Sequence, residues 1–464
     1  LTLLPDKLVG MAACLRRAIR DTDDGERDMI LEPATAIGKR MDATQRGLVT
    51  GIIAATLMAL AVVIAALAVG GRADPPALRA AATNLDGAWR FHIGDDLRWA
   101  NAGTDDRGWE TMDLSASPGS HDADVGLPGY VGGWMAHGHP GYQGYAWYRR
   151  TVTVPAGNRA WDLLGPAAVD DGYELYWNGV RLGGSGRIGA APRIVGTRPM
   201  LFALPADAAG TRGVIAIRTF MQPGNAAADD GGGMHIAPML APRPQSHALY
   251  RVQWWRTIAG YIVDLIEPLA MFALAGLALA VRPRSSRPGF LALASIALVL
   301  SALKRLENPI YAWTDLLSLP AYGWWMALLM PLGLVAWTLA WNRWCLRAWR
   351  TIDVAAIALA VAGFAGGAMH VAVMTPISRL GSLALLALIA LRIVRAGPMR
   401  VTALAMMAWI LSTQFADELS TVGVPGIWFP LGIGVSRTQC AYAIAIPLLA
   451  VLIMRTLSSN RTQR

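Results

Sequence analysis

Apolar residues follow two patterns along this chain. From residue 84 to about 242, short runs with apolar positions at period two are separated by clusters of Gly, Pro, Asp and Asn, as in half-buried strands joined by tight turns. Trp89, Phe91 and Ile93 share one face of Gly87–Ile93, and Tyr148, Val152 and Val154 share one face of Tyr145–Val154. Further strands are predicted at Tyr173–Trp177, Met200–Ala203 and Val214–Phe220, with a hairpin at Asn178-Gly179, where both residues tolerate positive φ. Many short strands with frequent turns predict a β-sandwich.

From about residue 257 the apolar runs become long. Crossing ~30 Å of hydrocarbon takes about 20 mostly apolar residues. Seven stretches approach this, at about 257 to 281, 289 to 308, 321 to 342, 352 to 374, 377 to 394, 401 to 418 and 438 to 454, predicting a seven-helix transmembrane bundle over 257–454. An eighth run at 48–70 is either an uncleaved anchor or a signal peptide cut near Ala68 or Ala73. Residues 1–47 are polar and unpatterned, which predicts a disordered cytoplasmic segment, or an over-extended gene start if translation begins at Met41. Residues 455–464 form a short cytoplasmic tail. The predicted fold class is an α+β multi-domain membrane protein: an N-terminal apolar helix, a β-sandwich at 84–242 and a seven-helix bundle.

Charge sets the orientation. The 464 residues carry a net charge of +9, and the hydrophobic share is 54%. Basic residues gather in alternate loops of the bundle: Arg282, Arg284 and Arg287; Arg343, Arg347 and Arg350; Arg392, Arg395 and Arg400; Arg455, Arg461 and Arg464. The other side carries Lys304, Arg305, Arg379 and Arg437. The positive-inside rule then places the C-terminus in the cytoplasm and 84–242 outside, as expected of a bacterial inner-membrane protein. Basic residues lining one membrane side also account for the positive charge without a nucleic-acid partner. The three cysteines, Cys14, Cys345 and Cys440, all fall outside 84–242, so that domain holds together without an internal disulfide.

Five motifs are more specific: Leu85-Asp-Gly-Ala-Trp89, Gly94-Asp-Asp-Leu-Arg-Trp-Ala100, Asp105-Asp-Arg-Gly-Trp109, Gly144-Tyr-Ala-Trp-Tyr-Arg-Arg150 and Tyr173-Glu-Leu-Tyr-Trp-Asn-Gly179. In this order they resemble the N-terminal sugar-binding jelly roll of glycoside hydrolase family 2, a galactose-binding-like fold, over about 85 to 220. Catalysis in that family sits in a separate (β/α)8 barrel with two glutamates. No barrel of roughly 250 residues fits between Pro242 and Thr257, so the resemblance implies binding and not an enzyme. A jelly roll before seven spans also resembles the bacterial seven-transmembrane receptors with diverse intracellular signalling modules. Their cytoplasmic kinase, phosphatase or cyclase has no counterpart here, which implies a separate signalling partner or a truncated chain.

The candidate chemistry lies in two places. Asp95/Asp96, Asp105/Asp106, Asp170/Asp171 and Asp229/Asp230 fall in turn-rich segments where Asp caps or turns the backbone, and they are read as structural. Trp89, Trp109, Trp147, Tyr148 and Trp177 are read as packing residues. In the loop Gly126–Tyr142, Trp134, Tyr130 and Tyr142 alternate with glycines, which suits rings that stack on a sugar, with His137, His139, Asp95 or Arg149 as polar partners. Packing of this loop on the membrane or bundle is the alternative. His121, Asp122, Asp124, His137 and His139 do not form a metal-ligand pattern, and no cofactor is expected.

Within the membrane, Asp264 and Glu267 lie three apart on one helical face just before Pro268, roughly 10 to 15 Å below the outer surface. The next span rises to Lys304 and Arg305, so one of these is expected to pair with one of the carboxylates, either as a static pair or as a switch. His370, Asp417 and Glu418 are lesser candidates. Trp254, Trp255, Tyr322, Trp324, Trp325, Trp341, Trp344 and Trp349 fall at span ends and read as interfacial belts. The expected function is a receptor-like sensor whose exported domain binds a carbohydrate, an envelope fragment or a protein. An envelope transporter, or a membrane protein that processes glycan or lipid, is the alternative.

Overall fold

The computed structural model describes residues 82–122, 126–189, 198–222, 231–314, 316–347, 349–369, 371, 373–396, 399–428 and 435–458. The 1–47 segment, the run at 48–70, Asp124, Asp229, Asp230, His370 and the end of the tail lie outside them.

Ten strands form two antiparallel sheets: β1 (Thr83–Asn84), β2 (Ala88–Ile93), β3 (Glu110–Asp113), β4 (Gly144–Thr153), β5 (Trp161–Leu164), β6 (Gly172–Trp177), β7 (Val180–Ser185), β8 (Leu201–Ala203), β9 (Arg212–Met221) and β10 (Met239–Pro242). One sheet has the order β3-β2-β4-β9-β6-β7 and the other β1-β10-β5-β8. Period-two alternation drives this layering. Trp89, Phe91, Tyr148, Val152, Leu175 and Ile217 point into one core with Leu163, Phe202 and Leu240 from the smaller sheet. Asn178 and Gly179 take φ of 48° and 88°, closing the β6–β7 hairpin. Trp147 is also buried, but on the opposite face of the larger sheet, where it packs with Ala100, Tyr176 and Ala216 beneath the 94–109 loop.

Helices follow without a linker. They are α1 (Arg243–Val281), α2 (Pro288–Trp313), α3 (Leu319–Trp344), α4 (Arg350–Ala368), α5 (Met374–Ala396), α6 (Arg400–Gln414), α7 (Ala416–Thr421) and α8 (Arg437–Ser458), with a strand pair, β11 (Ile427–Trp428) and β12 (Val435–Ser436), before α8. Neighbours in sequence pack together from α1 through α6, and α8 closes the bundle against α6 and α1. Six helices among the described residues are long and apolar enough to cross a membrane. The stretch at 401 to 418 differs from a single span. The helix breaks at Phe415 and leaves a 15-residue α6, about 22 Å long, followed by α7.

Two further features differ from the sequence expectation. The first bundle helix begins at Arg243 and not near 257, and its 39 residues span about 58 Å, nearly twice the hydrocarbon thickness. Its extra turns stand against the sandwich. The second difference concerns Trp341 and Trp344, expected in an interfacial belt. Both are fully buried in the bundle, where Phe290 packs on them and the Arg287 guanidinium lies 4.3 Å from the Trp344 ring.

The sandwich core imposes a strict backbone demand at Gly232. Gly232 sits at φ +95°, and a Cβ there would lie 2.3 Å from the Trp134 indole. Gly232→Ala combines left-handed strain with overpacking and is expected to cost about 2–5 kcal/mol, read as a lowered melting temperature of the full chain in detergent.

Candidate functional site

In the β-sandwich, the candidate sugar-stacking loop is largely internal. Trp134 has no exposed surface, because Gly232 and Gly233 lie across it and its indole donates to the Tyr142 carbonyl at 3.0 Å. It is a core residue, which corrects its place among the stacking rings. The Tyr142 hydroxyl donates to the Tyr145 carbonyl at 2.7 Å. Tyr130 stacks on His235 with centroids 4.7 Å apart and ring planes within 2°. His235 reaches the Asp170 carboxylate at 3.1 Å, so Tyr130 covers the ring that makes this contact. His139 meets Glu110 at 2.9 Å, while His137 is exposed at the end of a short 3-10 turn. The structure thus spreads the loop residues over separate roles and does not gather them around a cleft.

Asp95 and Arg149 are also engaged. Asp95 accepts from Arg218 Nε at 2.7 Å and from Trp147 Nε1 at 3.3 Å, while Arg149, 1% exposed, donates to Asp106 at 2.9 Å and to the Trp99 carbonyl. Arg218 also meets Glu174 at 3.1 Å. These bonds pin the 94–109 loop onto the outer face of the larger sheet. Arg149 and Arg218 project there because they alternate with the core residues Tyr148 and Ile217. Their partners lie 43 and 123 residues away in sequence, beyond the reach of local pattern.

Where the sandwich meets the bundle, Asp162 of β5 is 1% exposed and faces the first turn of α1. Ser246 Oγ donates to it at 2.7 Å, Arg243 at 3.2 Å, and the His247 ring lies 3.6 Å away. A carboxylate at a helix N-terminus satisfies first-turn donors and complements the helix dipole.

Halfway down α1 lies a buried charge cluster, at the residues expected to sit within the membrane. Arg305 of α2 donates to Asp264 and approaches Glu267 at 3.3 Å, and Gln439 of α8 donates to Asp264 at 2.9 Å. Asp264 and Glu267 are 2% and 4% exposed. Spacing puts the two carboxylates on one α1 face, and the alternating direction of the spans brings Arg305 to their level. Lys304 lies instead beside Glu307, lining a cavity of about 280 Å³ with Tyr322, Gln414 and Tyr442. Gln439 was missed because it lies 175 residues from Asp264. At the Phe415 break, Arg379 of α5 clasps Glu418 at 2.5 Å and the Gln414 carbonyl at 3.0 Å. Among the described residues, His, Cys, Asp and Glu form no metal-binding group.

No family model and no curated protein matches the chain. Among solved structures, it is similar to Bacteroides uniformis β-glucuronidase 2 at 19% identity and TM-score 0.26, covering 34% of this chain and 17% of that one. A glycosyl hydrolase family 2 member from Bacteroides cellulosilyticus DSM 14838 matches at 19% identity and TM-score 0.25, over 35% of this chain and 20% of the other. For Faecalibacterium prausnitzii β-glucuronidase the values are 16% and 0.24, over 35% and 31%. The chain spans less than a third of the length of each of these enzymes.

Two outcomes test these sites. Arg305→Met strands buried carboxylates and is expected to cost about 3–5 kcal/mol, with charge-swapped Asp264→Arg/Arg305→Asp regaining part of the loss in detergent melting curves. For Asp170, burial pushes the carboxyl up, but the hydrogen bond and charge of His235 and the Gly232 N–H outweigh it and hold it below its ordinary value. A lowered folded value adds stability above the unfolded value of about 3.9 that is lost as pH falls through the folded one. Asp170→Asn is therefore expected to flatten the acid limb of the melting-temperature profile.

Proposed function

We propose that this chain is a receptor-like inner-membrane protein in which an exported β-sandwich takes up an envelope-derived ligand and a seven-span bundle relays the event inward. In this reading the sandwich is the galactose-binding-like jelly roll suggested by the five motifs. The seventh span is the α6–α7 pair, the Arg-rich helix ends face the cytoplasm, and a separate cytoplasmic partner receives the signal. One observation carries the reading: α1 is a single helix whose first turn is tied to the sandwich through Asp162 and whose middle holds Asp264 and Glu267 against Arg305. A shift of the sandwich therefore acts on the charge cluster with no flexible linker between them.

The domain binds and does not catalyse in this proposal. Asp95, Asp106 and Asp170 are occupied by Arg218, Arg149 and His235, so they are not set as a free acid and base about a bond. Carbohydrate recognition loses its stacking ring with Trp134 in the core, which leaves the ligand class to be settled by the remaining surface. The transporter reading has its own support in the helix break at Phe415 and the polar cavity beside it.

Spin labels at Arg212 on the sandwich and Arg284 at the opposite end of α1 give the test. In nanodiscs, adding an envelope extract is expected to change the distance between them, and Asp162→Ala is expected to abolish the change. Accumulation of a solute in proteoliposomes, with no change in that distance, would overturn the receptor reading in favour of transport.

A further inference from the structure

A cavity of about 550 Å³ lies between the sandwich and the upper part of α1, within the range of about 300–1,000 Å³ typical of small-molecule sites. None of the candidate site residues lines it. Its helical wall is made by Leu249, Val252, Gln253 and Arg256, at positions i, i+3, i+4 and i+7 of a single face. The facing wall includes Leu114, Leu127, Ile236 and Met239 from the sandwich.

Three features define what fits. First, most of the wall is aliphatic, and no Trp, Tyr or Phe is among the described residues lining it, so a sugar ring finds nothing to stack on. Second, Ser120 Oγ and Gln253 Oε1, on opposite walls, are buried without a hydrogen-bond partner, a costly arrangement, while Asn84, Asp86, Ser117, His121 and Arg256 supply the rest of the polar lining. A hydrogen-bonding head group satisfies both. Third, Arg256 is followed at once by the apolar run from Ile258, and Trp255, 44% exposed, marks the interface. The lower rim of the cavity therefore meets the level where lipid head groups lie.

We propose that this cavity binds a single-chain amphiphile, an acyl chain with a hydrogen-bonding head, entering at the outer membrane surface. The chain lies along the Leu249–Val252 face, and the head reaches Ser120 and Gln253. The inference rests on the outward orientation proposed for the sandwich. Occupancy wedges between the sandwich and the part of α1 just below the Asp162 clasp, so the ligand acts on the helix that carries the charge cluster.

Photo-crosslinking of the full chain in nanodiscs tests this, using diazirine-bearing palmitic acid added from water or diazirine-bearing lysophosphatidylethanolamine placed in the bilayer. Labelled peptides containing Leu127 or Leu249–Arg256 are expected with at least one probe, and which probe labels them tells a free fatty acid from a membrane lysolipid. Val252→Trp and Ala116→Trp fill the space from opposite walls. Each is expected to cut that labelling about tenfold while leaving labelling of the outward-facing Val354 and Leu383 unchanged. Should one variant fail to fold, the other still decides. Undiminished labelling in a folded variant, no labelling of these peptides by either probe, or labelling only by a diazirine-bearing oligosaccharide would overturn the proposal. The readout involves no signalling, so a failure of the receptor reading leaves it standing, and its own failure leaves the spin-label result intact.

Discussion

The buried carboxylate of Asp162 is the contact on which the arrangement of the two halves depends. It belongs to β5 of the smaller sheet, yet its partners Arg243, Ser246 and His247 are the opening residues of α1. A buried acid requires polar neighbours, and the side chains of the first helical turn supply them. β10 passes into α1 with no loop between them.

Below that clasp, the same physical rule recurs at greater depth. Two carboxylates on one face of α1 are tolerable in an apolar helical interior only because Arg305 and Gln439 reach them from two other helices. The cluster thus fixes α1, α2 and α8 at one level, while Arg379 and Arg437 tie the interrupted α6–α7 region to its neighbours through carbonyls and Glu418. Polar contacts set the register, and the Leu, Ala and Trp interior fills the space between them.

Legibility from sequence followed the range of the forces involved. Period-two faces, the Asn178-Gly179 turn and the shared face of Asp264 and Glu267 depend on residues a few positions apart, and helical or strand geometry alone places them. The upper third of α1 was illegible because Arg243–Arg256 is rich in Arg, Gln, His and Trp and lacks an apolar run, its helicity coming from packing against the sandwich. Glycines around Trp134 suggest backbone opening toward a ligand. In the fold, Gly232 and Gly233 instead let another segment close over the ring, a contact across about a hundred residues. The ion pairs of Asp95 and Asp106 and the junction cavity likewise exist only once distant segments have met.

The separation of Asp264 from its partners also orders the making of the protein. Arg305 follows it by 41 residues, so α1 and α2 leave the ribosome as a hairpin able to neutralise its own acid. Gln439 arrives 175 residues after Asp264, on α8. Asp264 therefore keeps a polar position that is completed only once α8 has emerged, so the packing of α1, α2 and α8 at this level closes after the helices between them have been made rather than along the way.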